Sequence, residues 1–94
     1  MEVAKADIVQ SEAGRDKGKL FFVLDMEGEF RLLADGKSRK VETPKRKKRR
    51  HVRFVAKQTT GVSEKITGEE KITNSELRRA LAVFRETDYP IQEG

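Results

Sequence analysis

Residues 20–26 (Leu-Phe-Phe-Val-Leu-Asp-Met) carry apolar side chains on both alternating faces: Leu20, Phe22 and Leu24 on one, Phe21 and Val23 on the other. A strand of this kind has to be covered on both sides, so it belongs at the centre of a sheet. Turn signals surround it. Ile8 and Val9 open an earlier strand, which ends in Glu-Ala-Gly-Arg-Asp-Lys-Gly at 12–18, where Gly14 and Gly18 can supply the positive φ of a reversal. Glu27-Gly28 turns the chain into a third strand, in which Phe30, Leu32 and Ala34 alternate with Arg31 and Leu33, and Asp35-Gly36 turns it again. A short fourth strand is expected over 39–41, stopped by Pro44. A fifth has Val52 and Phe54 opposite His51 and Arg53 and reaches Lys57 or Gln58. An open sheet of five such short strands would leave a face and two edges exposed, so the expected fold is mainly β, a small five-stranded barrel over residues 1–58.

The remainder of the chain predicts one helix. Residues 59–71 are polar, contain two glycines, lack sustained periodicity and read as a linker. Thr73 and Glu76 then make a capping box, with Ile72 placed to staple against Leu77. Leu77, Ala80, Leu81 and Phe84 form one apolar stripe, which predicts an amphipathic helix over 72–88, followed by a tail at 89–94. The stripe is expected to dock on the barrel or on a partner, because a helix of about thirteen residues is marginal alone. Tyr89 is expected in a packing or rim contact.

Several function classes are disfavoured by composition. Ninety-four residues with 35% hydrophobic content bury only a modest core, so a deep substrate cavity is not expected. The chain has no cysteine and one histidine, His51, so a thiolate or His-rich metal site cannot be assembled. The longest apolar stretch, 20–24, is far below the roughly 20 residues of a membrane helix, and the first residues lack the apolar core of a signal peptide. The expectation is a soluble, cytoplasmic protein with no cofactor and no metal. Gly36-Lys37-Ser38 mimics the end of a phosphate-binding P-loop, but Arg31 stands where that motif needs its first glycine, and Gly14 to Gly18-Lys19 is one residue short. Scattered carboxylates and a histidine set among cations give no catalytic constellation, and the chain is not expected to be an enzyme.

Charge points to a polyanion. Lys45, Arg46, Lys47, Lys48, Arg49 and Arg50 follow one another between two strand-like segments. Residues 37–53 hold ten Lys or Arg against Glu42 alone, a local net of +9 within a chain of +5, so the remainder is mildly acidic. A single basic stripe on an acidic body is the electrostatic footprint of a nucleic-acid binder.

The stretch Asp7-Ile-Val-Gln-Ser-Glu-Ala-Gly-Arg-Asp-Lys-Gly-Lys-Leu-Phe-Phe-Val-Leu-Asp resembles the KOW motif, a strand, a glycine-containing loop and a second strand. In detail it is similar to the branch of archaeal and eukaryotic large-subunit ribosomal KOW proteins and small bacterial KOW-domain RNA-binding proteins. There a Gly-Lys-Leu step (Gly18-Lys19-Leu20) enters the second strand and a Val-Asp-Gly-like turn (Ala34-Asp35-Gly36) follows the third. The similarity covers roughly residues 7–55. Phe21-Phe22 stands where many KOW motifs place a glycine, a departure that fits the ribosomal branch better than the elongation-factor one. The resemblance implies an SH3-like barrel that binds RNA, usually ribosomal RNA, through its loops, with ribosomal proteins as further partners and no small-molecule substrate.

Two groups of residues are candidates for that contact. Arg15, Lys17 and Lys19 lie in the first loop, beside glycines that let backbone amides approach an anion. Lys37, Arg39, Lys40, Lys45, Arg46, Lys47, Lys48, Arg49, Arg50, His51 and Arg53 make up the stripe, whose run at 45–50 is expected as a basic loop between the fourth and fifth strands. Arginines 46, 49, 50 and 53 are expected to set geometry and the lysines strength. Five to seven phosphate contacts imply a log-log salt slope of roughly −4 to −6. Phe21, Phe30 and Phe54 are expected in the core rather than stacked on bases. A second reading is a transcription-elongation type of interaction module, in which the barrel contacts RNA polymerase or another protein and the helix stripe of Leu77, Leu81 and Phe84 docks a partner. A third takes Pro44-Lys-Arg-Lys-Lys-Arg-Arg as a nuclear import signal.

Overall fold

Phe21 and Phe22 point to opposite faces of strand β2 (Leu20–Glu27), are both fully buried, and each belongs to a separate core. The computed structural model describes residues 3–58 and 61–87; Tyr89 and the tail at 89–94 lie outside them. Around β2 are β1 (Ile8–Ser11), β3 (Phe30–Ala34), β4 (Lys45–Lys48), a 3₁₀ turn (Arg49–His51), β5 (Val52–Ala56), and helices α1 (Gly61–Thr67) and α2 (Asn74–Thr87). The strands form one antiparallel sheet in the order β4-β3-β2-β1-β5. The pairings Val9↔Phe21 and Val23↔Leu33 place the second cluster on one face, while Ile8↔Phe22↔Ala34 places the first on the other.

The sheet does not close into a barrel, because β4 and β5 remain its two edges. Both faces are nevertheless covered, by different means. Ile8, Leu20, Phe22 and Ala34 are buried by Ile66 from α1 and Leu77, Leu81 and Phe84 from α2. The opposite cluster, Val9, Phe21, Val23, Leu33 and Val52, is completed by Val3. Arg31, 3% exposed, fastens that N-terminal segment by donating from Nε to the Val3 carbonyl at 3.0 Å and from Nη1 to the Gly28 carbonyl at 2.9 Å. Open-sheet exposure, the reason to expect closure, is thus removed by two helices and a tethered N-terminal segment.

Two elements depart from the sequence reading. Residues 39–41 do not form the fourth strand. The Asp35 carboxylate accepts the Lys37 and Arg39 amides, and Asn74 Oδ1 accepts the Val41 amide at 2.8 Å, so backbone groups that a ladder would use are taken by a turn and a helix. The strand forms after Pro44, whose missing N–H is harmless just ahead of an edge strand. Its register is Leu33↔Lys45 to Phe30↔Lys48. The basic run is therefore an edge strand and a 3₁₀ turn rather than a loop. The second departure is α1, which lies inside the segment read as a linker; it packs Ile66 into the first core and Val62 against it.

The capping box of α2 is formed. The Thr73 amide donates to Glu76 Oε1 at 2.9 Å and the Glu76 amide to Thr73 Oγ1 at 3.2 Å, with Ile72 packed against the cluster that contains Leu77. Lys65 of α1 donates to Glu76 Oε2 at 2.6 Å. This bond, followed by the Thr73 amide, lowers the Glu76 pKa, and the same bond raises that of Lys65. A lowered carboxylate value contributes stability that is present above the unfolded value and lost as pH falls through the folded one. A raised lysine value contributes stability that is lost only as pH climbs through it. The link between the helices is thus complete at neutral pH and weakens in acid. Glu76→Gln should lower the melting temperature at pH 7, and the gap from wild type should narrow by about pH 3, below the ordinary glutamate range. Thermal melts at the two pH values check this; a constant gap would mean the charge contributes nothing.

Candidate nucleic-acid interface

The first loop sits against the basic strand. Lys47 on β4 pairs with Arg31 and is 9% exposed, and its Nζ donates to the Ala13 carbonyl at 2.8 Å. The Glu12 amide donates to the His51 carbonyl at 2.8 Å, which ties the start of the loop to the 3₁₀ turn. From the other side, Arg39 donates Nε and Nη2 to Asp16 Oδ2 at 3.2 and 2.9 Å. Gly14 and Gly18 both have positive φ, 78° and 89°, as the reversal requires. Arg39, Lys47 and His51, each more than twenty positions further along the chain, therefore converge on residues 12–18.

The fourteen candidate residues divide by what their side chains already do. Lys47 and Arg39 are anchors: one is buried on a carbonyl, the other clamped to the buried Asp16. Lys19 lies 3.9 Å from Asp16 and is half exposed. Arg46 pairs with Glu27 Oε1 at 3.2 Å and lies 4.0 Å over the Phe30 ring. Arg53 pairs with Glu12 Oε2 at 3.3 Å and donates to Gln10 Oε1. These pairs on Arg46 and Arg53 are well exposed; such contacts are worth about 0–1 kcal/mol, so phosphate can replace the carboxylate. Arg49 is half-buried in the 3₁₀ turn and its amide donates to the Glu29 carbonyl at 2.7 Å, while His51 next to it is also half-buried. The side chains of Arg15, Lys17, Lys45, Lys48 and Arg50 have no hydrogen-bond or ion-pair partner among the described residues.

Lys37 and Lys40 depart from this group. They lie on the β3–β4 connection, beside α2, where Asn74 Nδ2 donates to Glu42 at 2.9 Å and is the main cause of that carboxyl's lowered pKa. Of the phenylalanines, Phe21 is core and Phe54, with Lys57 over its ring, is half-buried against the same cluster, whereas Phe30 is half-buried under Arg46 and belongs to neither cluster. Leu77, Leu81 and Phe84 are 0–3% exposed within the chain's own core, so they do not present the surface that a protein-docking reading would use. Among the described residues no helix is long and apolar enough to cross a membrane. No protein-family model matches the chain, and no curated protein matches it.

Proposed function

We propose that the protein binds structured RNA, with ribosomal RNA as the first target class, through the face made by residues 12–18, β4 and the 3₁₀ turn. The observation that carries this reading is the 2.8 Å bond from Lys47 Nζ to the Ala13 carbonyl. It joins the segment bearing Arg15 and Lys17 to the one bearing Lys45, Lys48 and Arg50, and so gathers on adjoining elements five cations that have no side-chain partner among the described residues. Phosphate backbones are bound by such groups at fixed spacing, with strength set by counterion release. Lysines on an edge strand also block edge-to-edge pairing; that accounts for Lys45 and Lys48, but not for Arg15 and Lys17 on the loop. The KOW resemblance over residues 7–55 supports the same reading. Its SH3-like architecture is part of the proposal, favoured by β1 pairing with both β2 and β5.

The test replaces cations that are not structural anchors. Arg15→Gln, Lys17→Gln, Lys45→Gln and Arg50→Gln are combined and compared with wild type by fluorescence anisotropy on a ribosomal RNA hairpin, over about 50–200 mM salt. The salt slope should become shallower by about 3–4, and affinity at the middle of the range should drop by about two to four orders of magnitude, at an unchanged melting temperature. Equal affinity of the two proteins overturns the reading.

A further inference from the structure

The connection between β3 and β4 is fastened on both sides. Arg39 binds Asp16 of the first loop at 2.9 Å, and Arg78 Nη1 of α2 donates to the Gly36 carbonyl at 2.7 Å. Asn74 Oδ1 adds a bond to the Val41 amide. One tethered turn therefore bridges the cations of the first loop and the polar flank of α2.

On the helix side of that bridge is a recess of about 190 Å³ lined by Asp35, Lys37, Arg78, Leu81 and Arg85. Arg78 and Arg85 are seven residues apart, two helical turns on one face. The side chains of Lys37 and Arg85 have no hydrogen-bond or ion-pair partner among the described residues. Arg78 is preset by its bonds to Gly36 and, at 3.2 Å, to Ser75 Oγ. Among the described residues the one carboxylate in the lining is engaged: Asp35 Oδ1 accepts the Lys37 and Arg39 amides and Oδ2 the Ser38 hydroxyl. The described lining thus sets three cations against one hydrogen-bonded carboxylate, a net positive recess large enough for a phosphate group and a few waters at about 30 Å³ each.

We infer that Lys37, Arg78 and Arg85 form a second phosphate-contact point for the nucleic acid, so that α2 takes part in binding as well as in the core. The inference rests on the proposed RNA-binding function. An arginine fork held by a backbone carbonyl is preorganised for a bidentate oxyanion contact, and Lys37 supplies charge from the facing turn.

The experiment leaves Arg78 in place, because its bond to Gly36 is structural, and combines Lys37→Gln with Arg85→Gln in the full chain. Salt titrations on the ribosomal RNA hairpin compare this variant with wild type and with Arg15→Gln/Lys17→Gln. The expected result is a slope shallower by about 2 and affinity lower by about ten- to a hundredfold for each pair, with wild-type melting temperatures. Wild-type affinity and slope for Lys37→Gln/Arg85→Gln, alongside a weakened first-loop variant, would overturn this inference and leave the proposed function standing. Failure of wild type to bind the hairpin would overturn both.

Discussion

A chain of residues 1–58, lacking both helices, should fail to fold. It retains every strand, yet loses Ile66, Leu77, Leu81 and Phe84 from the first core and leaves Ile8, Leu20 and Phe22 facing water. At about 1.5–3 kcal/mol for each fully buried large side chain, those seven account for roughly 10–20 kcal/mol, an upper estimate because the unfolded chain is not fully extended. Even half of that rivals the roughly 5–15 kcal/mol net stability of a whole domain. The expected result is a disordered circular-dichroism spectrum and no cooperative melt. A dispersed amide NMR spectrum from this fragment would mean that the strands close on themselves without the helices. The comparison also bears on RNA binding, since the basic segments depend on the sheet to hold them together.

Strand content was legible where side-chain alternation was strong. β2 and β3 appear within a residue or so of the segments drawn from Phe21, Phe22, Phe30 and Leu33, because two-sided burial leaves a distinct pattern. The α2 capping box was legible for the same reason: it is a local hydrogen-bond exchange between residues three apart. What could not be read were elements defined by distant partners. β4 is four consecutive Lys or Arg with no apolar face, and it is a strand because Phe30, Arg31, Leu32 and Leu33 pair with it. α1 has two apolar side chains in seven residues, too few for a helical period, and exists because Ile66 meets the core and Lys65 meets Glu76.

The same distinction holds for the candidate interface. Charge density marked residues 37–53, but sequence could not separate anchors from free cations. Lys47 and Lys48 are adjacent and chemically identical, and the pleat sends one to the Ala13 carbonyl while the other has no side-chain partner among the described residues. The carboxylates that engage Arg39, Arg46 and Arg53 come from residues 16, 27 and 12, too far along the chain for spacing to reveal. Arg78 and Arg85 are invisible to a helix pattern defined by its apolar stripe alone. The one available signal was their seven-residue spacing on the flank of that stripe.

Gly36→Ala should be the most damaging single substitution outside the hydrophobic clusters. Gly36 has φ +79°, which disfavours any residue with a Cβ, and a Cβ built there would stand 2.2 Å from the Asn74 carbonyl oxygen and 3.0 Å from its carbon. Those are backbone atoms at the first turn of α2, so no rotamer change relieves the clash. The turn and the helix start would have to separate, breaking the bonds from Arg78 to Gly36 and from Val41 to Asn74. Gly18→Ala is the control: its φ is +89°, but the added Cβ would meet nothing within 4 Å. The control should cost about 1–2 kcal/mol from conformation alone, whereas Gly36→Ala should cost about 3 kcal/mol or more. At roughly 4–8 °C per kcal/mol for a domain of this size, melting temperatures should fall by about 4–16 °C for the control and at least about 12 °C for Gly36→Ala. Equal shifts in thermal melts of the two variants would mean that the turn does not press on α2, and the bridge joining the two basic clusters would be lost with it.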